Sequence, residues 1–180
     1  MATKKEQIDF VRAIYPEAKR LYEAKNGIHP LFVTAQAALE TGWIIKKDVG
    51  NNIFGITKGS SWAGRVKLTL TTEYFKTDNV RFSAPEKVES VIKMGENKYR
   101  YRVHRFFRVY DSIADCLDDH LSLLGKPVYS DAWLYRNNPK EFARRIVDES
   151  GAKYATAPNY ASVMCSIIDS VEKYSKEIGL

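Results

Sequence analysis

The amino-acid sequence predicts an α+β fold that is mainly helical, built as helices, a small antiparallel β insertion, and helices again. Two observations carry this expectation. Apolar residues recur at helical spacing from Ile8 to Leu39 and again beyond Ile113, whereas between Val66 and Phe107 β-branched and aromatic residues alternate with polar ones. A chain of 180 residues is long enough to bury one sizeable core and short enough for a single unit. With no internal repeat, low-complexity tract or linker, residues 1–180 are expected to form one domain, with a β lobe at about 66–107.

The elements follow in order. From Lys4 to Ala24 the apolar positions Ile8, Val11, Ile14, Ala18 and Leu21 fit a helix, and Pro16 is suited to a first helical turn, so two short helices are expected. Asn26-Gly27 stops the second. Pro30 opens a third helix through Leu31-Phe32-Val33-Thr34-Ala35-Gln36-Ala37-Ala38-Leu39-Glu40, which Gly42 ends. It is apolar nearly throughout and should be the central buried helix. Gly95-Glu96-Asn97 offers a turn between two strand-like runs. Helical spacing returns at Ile113–Leu124, Lys140–Val147 and Tyr160–Ile178.

The net charge of +6 would draw the chain to any polyanion without choosing among them. Its densest basic stretch, Lys98, Arg100, Arg102, Arg105 and Arg108, alternates with Tyr99, Tyr101, Val103 and Phe106. That pattern reads first as a strand with one wet face and second as a polyanion-contacting surface. No apolar run approaches the roughly 20 residues that span a bilayer. The N-terminus reads as the start of an amphipathic helix and not as an apolar signal core, so no export signal is expected. Cys116 and Cys165 lie in helical apolar patterns and are expected as buried free thiols. His29, His104 and His120 lack metal-ligand spacing and are expected to be structural or superficial, and no phosphate loop or nucleophile elbow appears.

One carboxylate stands out. Glu40 ends an apolar helix and precedes Thr41-Gly42-Trp43, so its side chain should emerge where the buried helix reaches a cleft wall. Desolvation there raises a carboxyl pKa, and a carboxyl still protonated near neutral pH is what protonation of a glycosidic oxygen requires. Trp43 would help by excluding water. By local pattern alone Glu40 equally fits a helix-end cap or ion pair. Downstream, Asn51-Asn52-Ile53-Phe54-Gly55-Ile56 combines amides, an aromatic ring and glycine, a set that binds uncharged sugar hydroxyls and N-acetyl groups; a loop whose asparagines bond local backbone is the alternative.

Ala35–Trp43 followed by Asn51–Ile56 resembles the catalytic signature of glycoside hydrolase family 73, and the likeness continues through Thr71-Thr72-Glu73-Tyr74, Phe107–Ser112 and Tyr154–Ala161. Four blocks in order cover about residues 28 to 168. The resemblance implies a lysozyme-like fold in which a helical lobe and a β lobe flank a cleft, with no metal or organic cofactor. It implies Glu40 as general acid, Glu73 as a second carboxylate on the β lobe and Tyr154 as an assisting tyrosine, with Trp43, Asn51, Asn52, Phe54 and Tyr160 binding substrate. Thr41, Ile44 and Ala157 stand where the family usually has Ser, Gly and Asp, and the stretch from Thr77 to Arg105 is longer than in many members.

The resemblance further implies cleavage of the β-1,4 bond between N-acetylglucosamine and N-acetylmuramic acid in peptidoglycan. A muramidase or lytic transglycosylase of the same fold, or a non-catalytic wall-binding module, is the alternative. The expected partner is the peptidoglycan glycan strand, with no nucleic acid and no stable membrane insertion, and the chain is expected as a monomer. The expected setting is a phage-type endolysin or an autolysin, made in the cytoplasm and acting on the wall, as an endolysin released by a holin or as a domain of a longer exported protein.

Overall fold

A computed structural model describes residues 2–148 and 159–180. Its helices are α1 (Lys4–Lys25), α2 (Pro30–Thr41), α3 (Ile113–Leu124), α4 (Ser130–Trp133), α5 (Pro139–Asp148) and α6 (Tyr160–Glu177), and its strands are β1 (Val66–Phe75), β2 (Lys87–Gly95) and β3 (Lys98–Arg108). The chain divides into two compact units, a helical one formed by residues 1–54 and 111–180 and a β unit formed by residues 55–110.

In the helical unit, α1 opens on a capping box. The Glu6 backbone donates to Thr3 Oγ1, and Thr3 N donates to Glu6 Oε2 at 2.7 Å. The two short helices expected over residues 4–24 are one helix with Pro16 inside it. An interior proline costs about 3 kcal/mol in helix propensity. Here Pro16 is exposed, so the carbonyl it leaves unbonded meets water, while Phe10, Val11, Ile14, Ala18 and Leu21 stay in phase on one buried stripe across it. Packing of that stripe outweighs the break, and Asn26 ends the helix in the left-handed region.

Helix α2 is the buried centre, as its composition predicts: every residue from Pro30 to Ala38 is buried. His29 caps it by accepting the Leu31 N–H on Nδ1 at 3.2 Å, and Pro30 occupies the first turn, where a missing N–H costs nothing. The helix packs against α1, α5 and α6, with Phe32 meeting the edge of Phe142 at 4.7 Å between ring centres. Helix α3 has its own capping box, Ser112 with Asp115. Cys116 on α3 is buried and its thiol is pushed up to about 12, chiefly by desolvation. Cys165 is only half-buried, a departure from the expected pair of buried thiols: it lies on the partly exposed flank of α6, next to the buried Met164. Neither cysteine is in a disulfide.

In the β unit the strands are antiparallel in the order β1-β3-β2, and Glu96-Asn97 turns the chain between β2 and β3 as the sequence predicts. One sheet face is partly covered by the unit's own loop. Phe75, Phe82 and Tyr101 form an aromatic cluster, and Tyr101 Oη donates to Thr77 O and accepts from Val80 N. At the far end of β3, Arg108 is buried, donating from Nε to Thr57 O and from Nη2 to Lys58 O with its guanidinium over the Trp62 ring. Arg108 is therefore not part of a wet strand face. It is the anchor of the segment 57–62.

Candidate active site

Glu40 sits in the last turn of α2, after nine consecutive buried residues. Gly42 and Trp43 both adopt left-handed backbone, with φ of 63° and 68°, and their N–H groups both donate to Ala38 O. The helix thus stops abruptly and leaves Glu40 solvent-accessible at its end. Protein packed around the carboxyl still thins its hydration, and that desolvation raises its pKa above the usual carboxylate value.

Beneath Glu40 lies a buried polar chain. Gln36, one turn earlier on the same helix face, donates from Nε2 to Tyr160 Oη at 3.2 Å, and its Oε1 lies 2.8 Å from His120 Nε2. The contact to Oε1 requires His120 to carry its proton on Nε2, which leaves Nδ1 buried without a partner. Complete burial holds the imidazole neutral, its pKa lowered to about 3. The His120 ring stacks on Phe54, with centres 3.8 Å apart and planes 11° from parallel. Burial, together with the nearby Glu40 charge, pushes the Tyr160 hydroxyl up, partly opposed by Gln36.

The expected binding residues fall into two groups. Tyr160, Asn51, Asn52 and Phe54 belong with Glu40 in the helical unit. Phe54 is 5% exposed and spends a ring face on His120, so it shapes the loop from beneath, and Asn52 is buried as well. The backbone N–H groups of Ile53 and Phe54 also face the Cys116 thiol on α3, where they lower its proton affinity against the larger effect of desolvation. Trp43 packs against Phe10, with ring centres 5.8 Å apart, and Tyr174, at 6.3 Å, and lines an open depression of about 240 Å³ with Glu6, Asp9, Ile44 and Ile45. Tyr154 and Ala157 lie outside the described residues.

Glu73 belongs to the β unit, opposite Tyr101 on β3. It is half-buried, and burial first, with Glu86 adding, raises its pKa, while Arg105 works the other way. Arg105 Nη1 stands 4.0 Å from Glu73 Oε1, but its Nε donates to Glu86 Oε1 at 3.1 Å, and the Phe106 N–H donates to that same oxygen at 2.8 Å. Glu86 therefore holds the arginine more closely than Glu73 does. Gln36, Glu86 and Arg105 were not singled out as site residues in the sequence; only Gln36, a lone amide in an apolar helix four residues before Glu40, carried a local signal. Among the described residues no three of His, Cys, Asp and Glu gather where they could hold a metal ion.

The fold and this site define a glycoside hydrolase domain of lysozyme-like type. The glucosaminidase family model, described as mannosyl-glycoprotein endo-beta-N-acetylglucosaminidase, matches residues 16–173, and the chain belongs to that family. It is 31% identical over 173 residues to the peptidoglycan hydrolase FlgJ of Pseudomonas aeruginosa, covering 92% of this chain and 37% of that protein. The chain spans less than half the length of the FlgJ proteins it matches. Among solved structures, a C-terminally truncated glycoside hydrolase domain from Salmonella typhimurium FlgJ superposes with a TM-score of 0.65 at 27% identity, covering 93% of this chain and 98% of that one. A peptidoglycan hydrolase from Sphingomonas sp. A1 superposes with a TM-score of 0.64 at 29% identity, covering 94% of each.

Proposed function

We propose that this chain hydrolyses the β-1,4 bond between N-acetylglucosamine and N-acetylmuramic acid in bacterial peptidoglycan, with Glu40 as general acid. The observation that carries the reading is a carboxyl with raised proton affinity, solvent-accessible at the end of an otherwise buried helix. Family membership and relatives named as peptidoglycan hydrolases support the substrate.

In this mechanism protonated Glu40 donates to the glycosidic oxygen as that bond breaks, and positive charge develops on the N-acetylglucosamine ring. Glu73, ionised, takes a proton from the attacking water, or the substrate's own acetamido oxygen attacks first and water then opens the intermediate. Tyr154 assists at the reacting sugar. Asn51, Asn52 and Tyr160 hold the glycan, and no metal or cofactor takes part.

Digestion of defined peptidoglycan with product identification by mass spectrometry tests the bond. New reducing N-acetylglucosamine ends are expected. Reducing muramic acid ends would mark a muramidase and anhydro ends a lytic transglycosylase, and either would remove the assignment. Binding to purified walls without a fall in turbidity would mark a non-catalytic module.

The setting that fits is a phage-type endolysin or an autolysin, acting as a monomer on the wall after synthesis in the cytoplasm. Expressed alone the chain should leave cells intact, and co-expressed with a holin it should lyse them. Lysis without the holin would overturn the endolysin setting and leave the autolysin.

A further inference from the structure

The net positive charge of this chain is confined to one of its two units. Residues 55–110 carry 12 Lys and Arg against 5 Asp and Glu, a net +7, while the remainder carries 16 against 17. Four of those twelve, Lys87, Lys98, Arg100 and Arg102, lie on one sheet face. Strand register places Leu68, Leu70, Thr72 and Tyr74 of β1 beside Phe106, His104, Arg102 and Arg100 of β3, with Lys87, Ser90 and Ile92 of β2 on the other side. The opposite face carries Tyr101 and the loop that covers it. On this face Leu68, Leu70, Ile92 and Tyr74 are 40%, 40%, 44% and 57% exposed. Arg100 is flanked across the strands by Tyr74 and Ile92, and Lys98 lies over the Tyr74 ring. Lys98, Arg100 and Arg102 have no carboxylate partner among the described residues; Glu89, the acid that reaches this face, pairs with Lys87 and His104.

We propose that this face of the β unit is a docking surface for an anionic lipid bilayer, bound peripherally and without insertion of a helix. The charge excludes a second copy of the chain, because two such faces would repel. A linear anionic polymer would use the basic residues alone and leave aliphatic side chains in water. A lipid interface takes both, since anionic headgroups pair with Lys and Arg while Leu68, Leu70 and Ile92 enter the headgroup boundary. The proposal does not rest on the hydrolase reading, because lipid binding is read without any wall substrate.

Co-sedimentation of the full chain with vesicles of phosphatidylcholine, with and without phosphatidylglycerol, is the test. Binding is expected to the phosphatidylglycerol vesicles alone and to weaken with salt. The variant L68T/L70T/I92T, which keeps strand propensity, should lower partition at least about ten-fold. R100Q/R102Q should lower it by roughly five-fold per charge removed. Circular dichroism confirms that each variant is folded. No binding, equal binding to both vesicle types, or undiminished binding by the threonine variant would overturn the proposal. The last result, with poly(glycerol phosphate) competing fully, would identify a polyanion site instead.

Discussion

Gln36 Nε2 donates to the phenolic oxygen of Tyr160 at 3.2 Å, joining the central helix α2 to the first turn of α6 inside the core. The same amide engages His120 through its oxygen, so one side chain fixes three helices beneath Glu40. Replacing Gln36 by Leu strands the buried His120 N–H without a partner. The expected cost is about 1–3 kcal/mol of stability, measurable by urea unfolding, with activity reduced less than by a change at Glu40.

Loss of the acid itself is the sharpest test of the site. Glu40→Gln is expected to lower turnover roughly 100- to 10,000-fold with the fold intact, the range that a general acid supplies. Near-wild-type wall lysis by this variant would end the assignment.

The raised pKa of Glu40 sets a sign for stability as well. A carboxyl that binds its proton more tightly in the folded state contributes stability at low pH, and that contribution is lost as pH rises through the window between its unfolded and folded pKa values. The more of the wild type that is ionised as pH rises through this window, the greater the cost of its under-hydrated carboxylate. Glu40→Gln should melt at a slightly higher temperature than wild type at pH 7 and show no such gain at pH 4. For the same reason, wild-type turnover should fall on the alkaline side as Glu40 deprotonates.

His120 has the opposite pH signature. Its pKa is held down to about 3 against 6.5 in the unfolded chain, so acid protonates the unfolded state first. Stability should fall with pH through that interval by up to about 1.4 kcal/mol per pH unit. His120→Leu, though less stable overall, should show a correspondingly flatter slope in chemical denaturation between pH 6 and pH 4.

Arg105 opposes the upward shift of Glu73. If Glu73 acts as an ionised base, Arg105→Gln should move the acid limb of the pH–activity profile to higher pH and leave the alkaline limb in place. An unchanged acid limb would separate Glu73 from the proton chemistry.

Helix α2, the strand run to β3 and the turn at Glu96-Asn97 were legible because each is written in local periodicity and turn chemistry. Pro16 misled for a physical reason: a proline breaks a helix by local rules, and the stripe from Phe10 to Leu21 overrides it by packing that local rules do not contain. The packing of Trp43 was not legible, because two left-handed residues in succession, Gly42 and Trp43, carry its ring to Phe10 and Tyr174.

By itself the sequence determined most of the elements, the helix-end position of Glu40 and the blocks that mark the family, because those depend on residue order over short spans. Only the tertiary structure decided that Gln36, His120, Tyr160 and Phe54 form one buried chain, and that Arg105 is held chiefly by Glu86. Those contacts join residues separated by up to 124 positions, and burial, which sets their protonation, belongs to the packed molecule and not to any stretch of chain.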